Sequence, residues 1–358
     1  MYEKQKKQTP DALEKALKQR IQGSRHAIKF IAGFVLALIQ VRSSNLAKVA
    51  VAVETEVEVS STYRQIQRFL SNAGEVKIDY LGLMKIKGKV KLAIDRTEWK
   101  FGAVWINILT LSVVYQQVAI PVRWQVVNQK GNASAVEHIE IIKQFIALFG
   151  KERIDQILGD REFGSRQLLE FLLKEEIDFL IRLKENHLAG GISFKKRWKN
   201  MAERVKLHGK VKVEVFGLEV YVSCVKLKKG KKSEYLIVAS RIRNNQALAQ
   251  YKWRWRIETM FGCLKSRGFE LEETHLTNPE KISKLMMMLG LALCLAMLMG
   301  NIQVVILKRV ALKLKNNGRY AKSLFRIGLD ALQNILFNLK TPDKQRCFNI
   351  WLNLLSCA

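Results

Sequence analysis

The sequence predicts an α/β protein in which helices flank a mixed sheet. A β-rich insertion interrupts the sheet region, and helical N- and C-terminal regions enclose it. Residues 10–88 carry apolar side chains at helical spacing, and residues 279–358 do so again. Between them, segments rich in Val, Ile and Leu alternate with amphipathic helices, a pattern typical of α/β folds. An apolar content of 48% over 358 residues is enough for a substantial core.

The N-terminal region, residues 1–88, is predicted to consist of helices. In SSTYRQIQRFL, residues 60–70, serines are expected to cap a helix whose apolar side chains share one side. Arg64, Gln67 and Arg68 lie on the other side, and Arg and Gln are side chains that can reach base edges in DNA. This helix is either the reading helix of a helix-turn-helix unit or a bundle helix with a solvated polar face.

Three strands are predicted next, in KVKLAID, AVWINILTLSVVY and VAIPVRWQVV, joined by short links as in a meander. An amphipathic helix in residues 134–150 then leads to the strand RIDQILG, followed by a helix in SRQLLEFLLKEE and the strand DFLIRL. A crossover helix of this kind places RIDQILG parallel to KVKLAID and beside it.

The β-rich insertion, residues 184–233, has alternating apolar residues and is strongly basic. Between residues 184 and 234 there are fourteen Lys or Arg against five acids. The strand EYLIVAS returns to the main pattern, and residues 301–358 form a basic helical region with ten Lys or Arg against two Asp. The run 285–300, LMMMLGLALCLAMLMG, falls short of the ~20 residues that span a bilayer and is interpreted as a buried helix.

The charge balance indicates a polyanionic partner. Sixty-one Lys and Arg against 32 Asp and Glu give a net charge of +29, as expected of a protein that neutralises phosphates along nucleic acid. The five cysteines and five histidines are dispersed without metal-ligand spacing, so any metal would need carboxylate ligands. The charged N-terminus does not resemble a signal peptide, and we expect a cytoplasmic protein without a membrane segment.

Two acids are predicted to meet at one edge of the sheet. Asp95 ends KVKLAID and Asp160 directly follows RIDQILG. Parallel neighbours would bring both carboxylates to the same edge, where open sheets place their ligands. Two such carboxylates repel unless a divalent cation neutralises them, and Mg²⁺ prefers carboxylates together with substrate phosphates.

A third acid follows in YKWRWRIETMFGCLK, residues 251–265. On one continuous helix Tyr251, Arg254, Glu258 and Lys265 would lie within about 60° of arc, apart from an apolar face. Such a face would offer a carboxylate to a metal and two cations with a phenol to a phosphate. The alternative is an ordinary ion pair between Arg254 and Glu258 on a solvated face.

These residues resemble the DDE transposases of bacterial insertion sequences, in the branch with the YREK signature. The signature Y-x2-R-x3-E-x6-K is complete in residues 251–265. The first acid lies in LAIDRTEWKFG and the second in LGDREFG, similar to the two Asp blocks of that family. Further similar segments are KGNASA, FLIRLKEN, KSRGFELEETHLT and NNGRYAKSLFRIGLD, so that the resemblance covers nearly the whole chain.

The resemblance implies a ribonuclease-H-like catalytic core with a β insertion. Asp95, Asp160 and Glu258 would hold two Mg²⁺ ions, with Mn²⁺ as a substitute, for in-line attack on DNA phosphodiesters. Tyr251, Arg254 and Lys265 would bind DNA phosphates. The implied pathway is cut-and-paste transposition, and the implied partners are double-stranded DNA, both terminal inverted repeats and target, and a second copy of the chain in a synaptic homodimer.

The implied division of the chain has five parts, which follow the changes of pattern described above. They are a helical DNA-binding region (1–88), the first part of the catalytic core (89–183), the basic β insertion (184–233), the second part of the core with the YREK helix (234–300) and the basic helical C-terminal region (301–358).

Trp198 is a further predicted DNA contact. The family often uses a tryptophan in or near the insertion to capture a flipped base, and Trp198 is the only candidate in residues 184–233. Its neighbours in KKRWKN favour phosphate contact with ring stacking instead. Two other functional classes stay open: a DNA-binding regulator without catalysis, and a metal-dependent nuclease that does not join DNA ends.

Overall fold

The computed structural model describes residues 2–72, 74–127, 131, 134–209, 211–229, 232–314, 316 and 320–356. Parts of two quoted motifs, residues 130, 132 and 133 of KGNASA and residues 317–319 of NNGRYAKSLFRIGLD, lie outside these described residues.

The helices follow the predicted order. Their bounds are α1 Tyr2–Leu17, α2 Arg25–Val41, α3 Leu46–Ala52, α4 Val59–Asn72, α5 Tyr80–Leu83, α6 Ala135–Phe149, α7 Arg166–Lys174, α8 Phe194–Arg197, α9 Ala247–Gln250, α10 Trp255–Leu264, α11 Pro279–Asn301, α12 Leu324–Phe337 and α13 Pro342–Ser356. Short 3-10 turns span Lys151–Arg153, Arg161–Phe163, Tyr251–Arg254 and Leu271–Thr274, and a π-helical turn spans Ile302–Ile306.

The strands are β1 Ile21–Gln22, β2 Lys77–Ile78, β3 Val90–Phe101, β4 Val104–Tyr115, β5 Val118–Val127, β6 Ile154–Gly159, β7 Phe179–Leu183, β8 Leu188–Ala189, β9 Ile192–Ser193, β10 Lys206–His208, β11 Val213–Val215, β12 Leu218–Lys229 and β13 Lys232–Ser240. Among the described residues, nine strands form one sheet in the order β10-β12-β13-β7-β6-β3-β4-β5, with β11 paired to β12.

The sheet is mixed, as predicted. The meander β3-β4-β5 is antiparallel, whereas β3, β6 and β7 are parallel neighbours. The crossover helix α6 is capped at its start by Ser134, which forms a capping box with Glu137, and at its end by Gly150. The α/β fold class predicted from the sequence is confirmed.

Strand β12 of the predicted β insertion belongs to the central sheet. From Tyr221 to Lys229 it pairs with β13, which pairs with β7, so β12 extends the central sheet. The physical reason is its alternation: Val220, Val222 and Cys224 point one way and are buried in the same core as α6 and α7.

Two cores lie on opposite faces of the sheet. One contains α6, α7 and residues of the insertion. The other contains residues of the N-terminal helices, α10, α11, α12 and α13 together with one face of the sheet. The N- and C-terminal helical regions therefore share a single core, which fixes α10 against the sheet.

Helix α11 is the buried helix predicted from the run 285–300. With the π turn after it, the helix Pro279–Ile306 is long and apolar enough to cross a membrane, but 89% of its most apolar window is buried inside the protein. Burial of this degree is typical of the core helix of a globular protein.

Helix α4 begins before the serines that the sequence suggests as its N-terminal cap. The serines of SSTYRQ were expected to cap it, but the helix already starts at Val59, and Ser60 donates a hydrogen bond to Glu58. Ile66 and Leu70 are buried as predicted, while Arg64 and Arg68 are exposed and Gln67 is half-buried.

His138 of α6 predicts an acid sensitivity of the fold. The ring is buried against Phe163, 4.5 Å between centroids, and neither nitrogen has a hydrogen-bond partner among the described residues. Burial lowers the pKa of His138 to about 4, with the charge of Arg96 adding to this effect and Glu137 opposing it. Folding therefore favours the neutral ring.

We expect the free energy of unfolding to fall between about pH 6.5 and pH 4, because in this window the unfolded chain binds a proton that the folded chain does not. A shift of this size corresponds to about 3 kcal/mol. His138→Leu removes this component, so denaturant titrations across the window should give a shallower pH profile than the wild type. Parallel profiles would contradict the assignment.

Candidate active site

The site starts where the parallel pairing of β3 and β6 ends. The last paired residues are Ile94 and Gly159, so Asp95 and Asp160 are the next residue on each strand. Asp160 follows β6 directly, as predicted. Asp95 was expected to end its strand, but β3 continues to Phe101 because residues after Asp95 still pair with β4.

The chain that carries Glu258 is not one continuous helix. Residues Tyr251–Arg254 form a 3-10 turn, and α10 begins only at Trp255. The prediction of a single helical face was wrong for this reason. Tyr251 and Arg254 nevertheless lie where the parallel pairing of β3 and β6 ends: Arg254 donates to Asp95, and Tyr251 donates a hydrogen bond to Asp160 Oδ1 at 3.3 Å.

Arg254 lies at the centre of the acids and is 5% exposed. Its Nη1 donates to Asp95 Oδ2 at 2.9 Å and its Nη2 donates to Glu258 Oε1. The guanidinium also lies 5.8 Å from the ring of Tyr251 and 5.7 Å from that of Trp255. The ion pair between Arg254 and Glu258, which was the alternative to a metal and phosphate site, is thus present. Arg254 also pairs with Asp95 and so links the two acids.

Burial in the site disfavours the ionised forms of Asp95 and Tyr251. Burial raises the pKa of Asp95 to about 7, and Arg254 and the backbone N–H of Arg96 only partly offset this effect. Burial also raises the pKa of Tyr251, so its phenol stays protonated and is a donor. A nearby positive charge, from a metal cation or from a guanidinium, stabilises the ionised form of such a buried carboxyl group.

Lys265 lies apart from the acids. It follows the last residue of α10, and its Nζ pairs with Glu272 Oε1 at 2.6 Å. The same amine donates to the carbonyl of Glu98 at 3.4 Å and lies 5.4 Å from the ring of Trp99. The structure therefore places Lys265 beside β3 at Glu98, which is three residues after Asp95, and not within the carboxylate cluster.

An arginine beside the site was missed from the sequence. Arg96 pairs with Glu162 at 2.8 Å and with Glu98 at 3.0 Å, and it donates to the carbonyl of Gly131 at 3.1 Å. Asn107 donates to the same carbonyl at 2.7 Å. Arg96 directly follows Asp95 in DRTEWKFG, and Glu162 is the second residue after Asp160 in DREFG; this closeness in sequence was the available signal.

Arg182 of β7 was also missed. Its Nη1 lies 3.7 Å from Asp160 Oδ1, and its Nη2 pairs with Glu234 of β13. The only sequence signal was its position in FLIRLKEN, one of the segments similar to the transposase family.

Trp198 packs within the protein. Its half-buried ring stacks on Phe194 at 5.0 Å, and its carbonyl accepts a hydrogen bond from Tyr235 at 2.9 Å. By contrast, Trp255 next to Arg254 is 60% exposed. Contact of DNA with Trp198, and with Arg64, Gln67 and Arg68 on α4, stays a prediction.

The donor chemistry fits a hard divalent cation, because Asp95, Asp160 and Glu258 supply only carboxylate oxygens. Their present geometry does not: within the described part of the chain no three His, Cys, Asp or Glu side chains are placed to hold one ion. Arg254 explains this, since its guanidinium occupies the space between Asp95 and Glu258. A metal would have to replace at least one of these contacts.

Comparison with known families agrees with this site. The family model described as the transposase DDE domain matches residues 86–295, more than half of the chain. A search of curated proteins gave no match. The matched range contains the three acids, with Asp95 on β3, Asp160 directly after β6 and Glu258 on α10. Transposases of this kind typically use divalent metal ions and act on DNA. The chain therefore belongs to the transposase DDE domain family.

Proposed function

We propose that the chain is an insertion-sequence transposase of the YREK branch, which cuts DNA at the ends of its mobile element and joins them to a target. The observation that carries the proposal is that Asp95 and Asp160 directly follow the last paired residues of two parallel strands, and that Arg254 joins Asp95 to Glu258. Residues far apart in sequence meet at one sheet edge, and each belongs to a motif similar to that family.

In this proposal the three carboxylates hold divalent cations, Mg²⁺ or Mn²⁺. Two bound ions would activate the attacking hydroxyl and stabilise the leaving oxygen of a phosphodiester. Arg254 compensates the acids in the absence of metal and becomes free to pair with a DNA phosphate when a cation replaces it. Tyr251 donates to Asp160 and restricts the rotation of that carboxylate.

The surface around the acids suits DNA. The chain carries a net charge of +29, and Arg254 and Lys265 directly precede and follow α10, where a DNA backbone that crosses the site would meet them. The exposed indole of Trp255 lies beside Arg254, where it could stack on a base.

We further propose that the regions predicted from the sequence have separate roles in DNA binding and cutting. Residues 1–88 would read the terminal inverted repeats through Arg64, Gln67 and Arg68, the insertion 184–233 would contact DNA near Trp198, and residues 301–358 would complete the basic surface. Two chains would pair the element's ends before cutting, in the cytoplasm at the nucleoid. The proposed core comprises residues 89–183 and 234–300.

The test is an assay of the full chain on DNA that carries the ends of its own mobile element, with Mg²⁺ or with EDTA. Metal-dependent cutting followed by joining of the 3′ ends to a second DNA is the expected result. Cutting without joining would indicate a nuclease instead. Tight binding to the ends without cutting, in Mg²⁺ and in Mn²⁺, would indicate a DNA-binding regulator and would overturn the proposal.

A further inference from the structure

One carboxylate oxygen of Asp160 contacts two side chains, one from the 3-10 turn before α10 and one from β7. Oδ1 accepts the hydrogen bond of Tyr251 at 3.3 Å, and the Nη1 of Arg182 lies 3.7 Å from the same atom. Among the described residues, no contact to the other oxygen, Oδ2, is seen. The carboxylate is thus held from one side and open on the other.

Arg182 is itself fixed by the sheet. It lies on β7 opposite Val238 of β13, and its Nη2 pairs with Glu234, four residues earlier on β13. The side chain of Arg182 is 20% exposed, and that of Glu234 is 36% exposed. Glu234 therefore anchors a guanidinium that bridges β13 to the residue following β6.

We propose that Arg182, anchored by Glu234, is a positioning residue that orients Asp160 for metal binding. The inference rests on the proposed function, in which Asp160 is a metal ligand. A carboxylate directly after a strand can rotate about two side-chain bonds, and the Arg182 and Tyr251 contacts to Oδ1 would limit this rotation and leave Oδ2 open to a cation. Partners that orient a ligand in this way typically contribute about 10- to 100-fold to metal affinity.

The structure offers a matched control. Arg241 follows β13 and pairs through its Nε with Asp178, which precedes β7, at 2.7 Å. The side chains are 29% and 26% exposed, similar to those of Arg182 and Glu234. This pair bridges the same two strands from the opposite end, so Arg241→Met removes a comparable ion pair without touching Asp160.

The experiment measures Mn²⁺ binding by calorimetry and the Mn²⁺ concentration for half-maximal cutting of the element's ends. Arg182→Met should raise both the dissociation constant and the half-maximal concentration by about 10- to 100-fold. Cutting at saturating Mn²⁺ should stay near the wild-type rate. Arg182→Lys should recover part of the shift, Glu234→Gln should give a smaller shift, and Arg241→Met should give none.

DNA affinity in EDTA distinguishes positioning from a direct phosphate contact. A phosphate contact would lower the slope of log affinity against log salt by about one in Arg182→Met. That result, with an unchanged Mn²⁺ dependence, would overturn the proposal. So would an Mn²⁺ dependence that changes equally in Arg182→Met and Arg241→Met. If the wild-type chain neither binds Mn²⁺ nor cuts DNA, the proposed function itself fails, and the positioning role fails with it.

Discussion

Glu258→Gln is expected to bind the ends of the mobile element as tightly as the wild type and to cut them at least about a thousand-fold more slowly. The amide keeps the size of the side chain and an oxygen acceptor for Arg254, but it loses the negative charge that a metal requires. Metal ions contribute several kcal/mol to stabilising the transition state in phosphoryl transfer, and about 4 kcal/mol corresponds to a thousand-fold change in rate.

Single-turnover cutting with saturating enzyme, together with a gel-shift titration in EDTA, measures the two effects separately. Glu280→Gln is the control, since Glu280, like Glu258, is an acid in the first turn of a helix, and it lies exposed on α11. It should cut like the wild type. Wild-type cutting by Glu258→Gln would show that this carboxylate is not a metal ligand.

Arg254→Met is expected to destabilise the metal-free protein by about 3 kcal/mol, as is typical when one partner of a buried ion pair is removed. The side chains of Arg254 and Asp95 are only 6% and 15% exposed, so water replaces the lost countercharge poorly. Mg²⁺ should restore more stability in the variant than in the wild type, because the ion no longer competes with a guanidinium for Asp95 and Glu258.

The loss should also depend on pH. Without Arg254 the pKa of Asp95 rises further above about 7, so Asp95 becomes protonated and the repulsion disappears as the pH falls. The destabilisation should therefore be larger at about pH 8 than at about pH 6. Thermal unfolding in EDTA and in Mg²⁺ at both pH values measures these differences.

Arg42→Met is the control for this experiment. Arg42 pairs with Asp330 at 2.7 Å, and the two side chains are 21% and 36% exposed. This pair does not involve Asp95, Asp160 or Glu258. Its removal should cost about 1 kcal/mol or less and give no response to Mg²⁺. The role of Arg254 as an internal counter-ion is contradicted if both variants lose the same stability and respond alike to Mg²⁺.

The sequence allowed the main sheet to be predicted because its signals are local. Runs rich in Val, Ile and Leu separated by amphipathic helices define β3 to β7, and the crossover rule then places β6 beside β3. That one pairing brings Asp95 and Asp160 together, so the core of the site could be predicted from periodicity and topology alone.

The rest depends on tertiary contacts that no local pattern contains. The strand β3 extends past Asp95 because β4 pairs with it, although DRTEWKF is polar. Helix α10 ends at Leu264, so Lys265 lies beyond the helix that carries Glu258, although the spacing suggested one helix through residue 265. Packing against the sheet, and not local propensity, decides where β3 and α10 end.

The arginine contacts could not be predicted either. Arg182 and Glu234 lie on either side of the insertion and meet only because β13 returns beside β7. Arg254 was expected to face DNA, and its actual position between two carboxylates depends on side-chain conformations that spacing does not determine.

The most direct test of the central claim, that the acids ligate the catalytic metal, is the metal preference of Asp160→Cys. A thiolate is a poor ligand for Mg²⁺ and a better one for the softer Mn²⁺. We predict that this variant binds the element's ends normally, fails to cut them with Mg²⁺ and cuts them with Mn²⁺. Equal cutting with both ions, or normal DNA binding without rescue by Mn²⁺, would contradict the account.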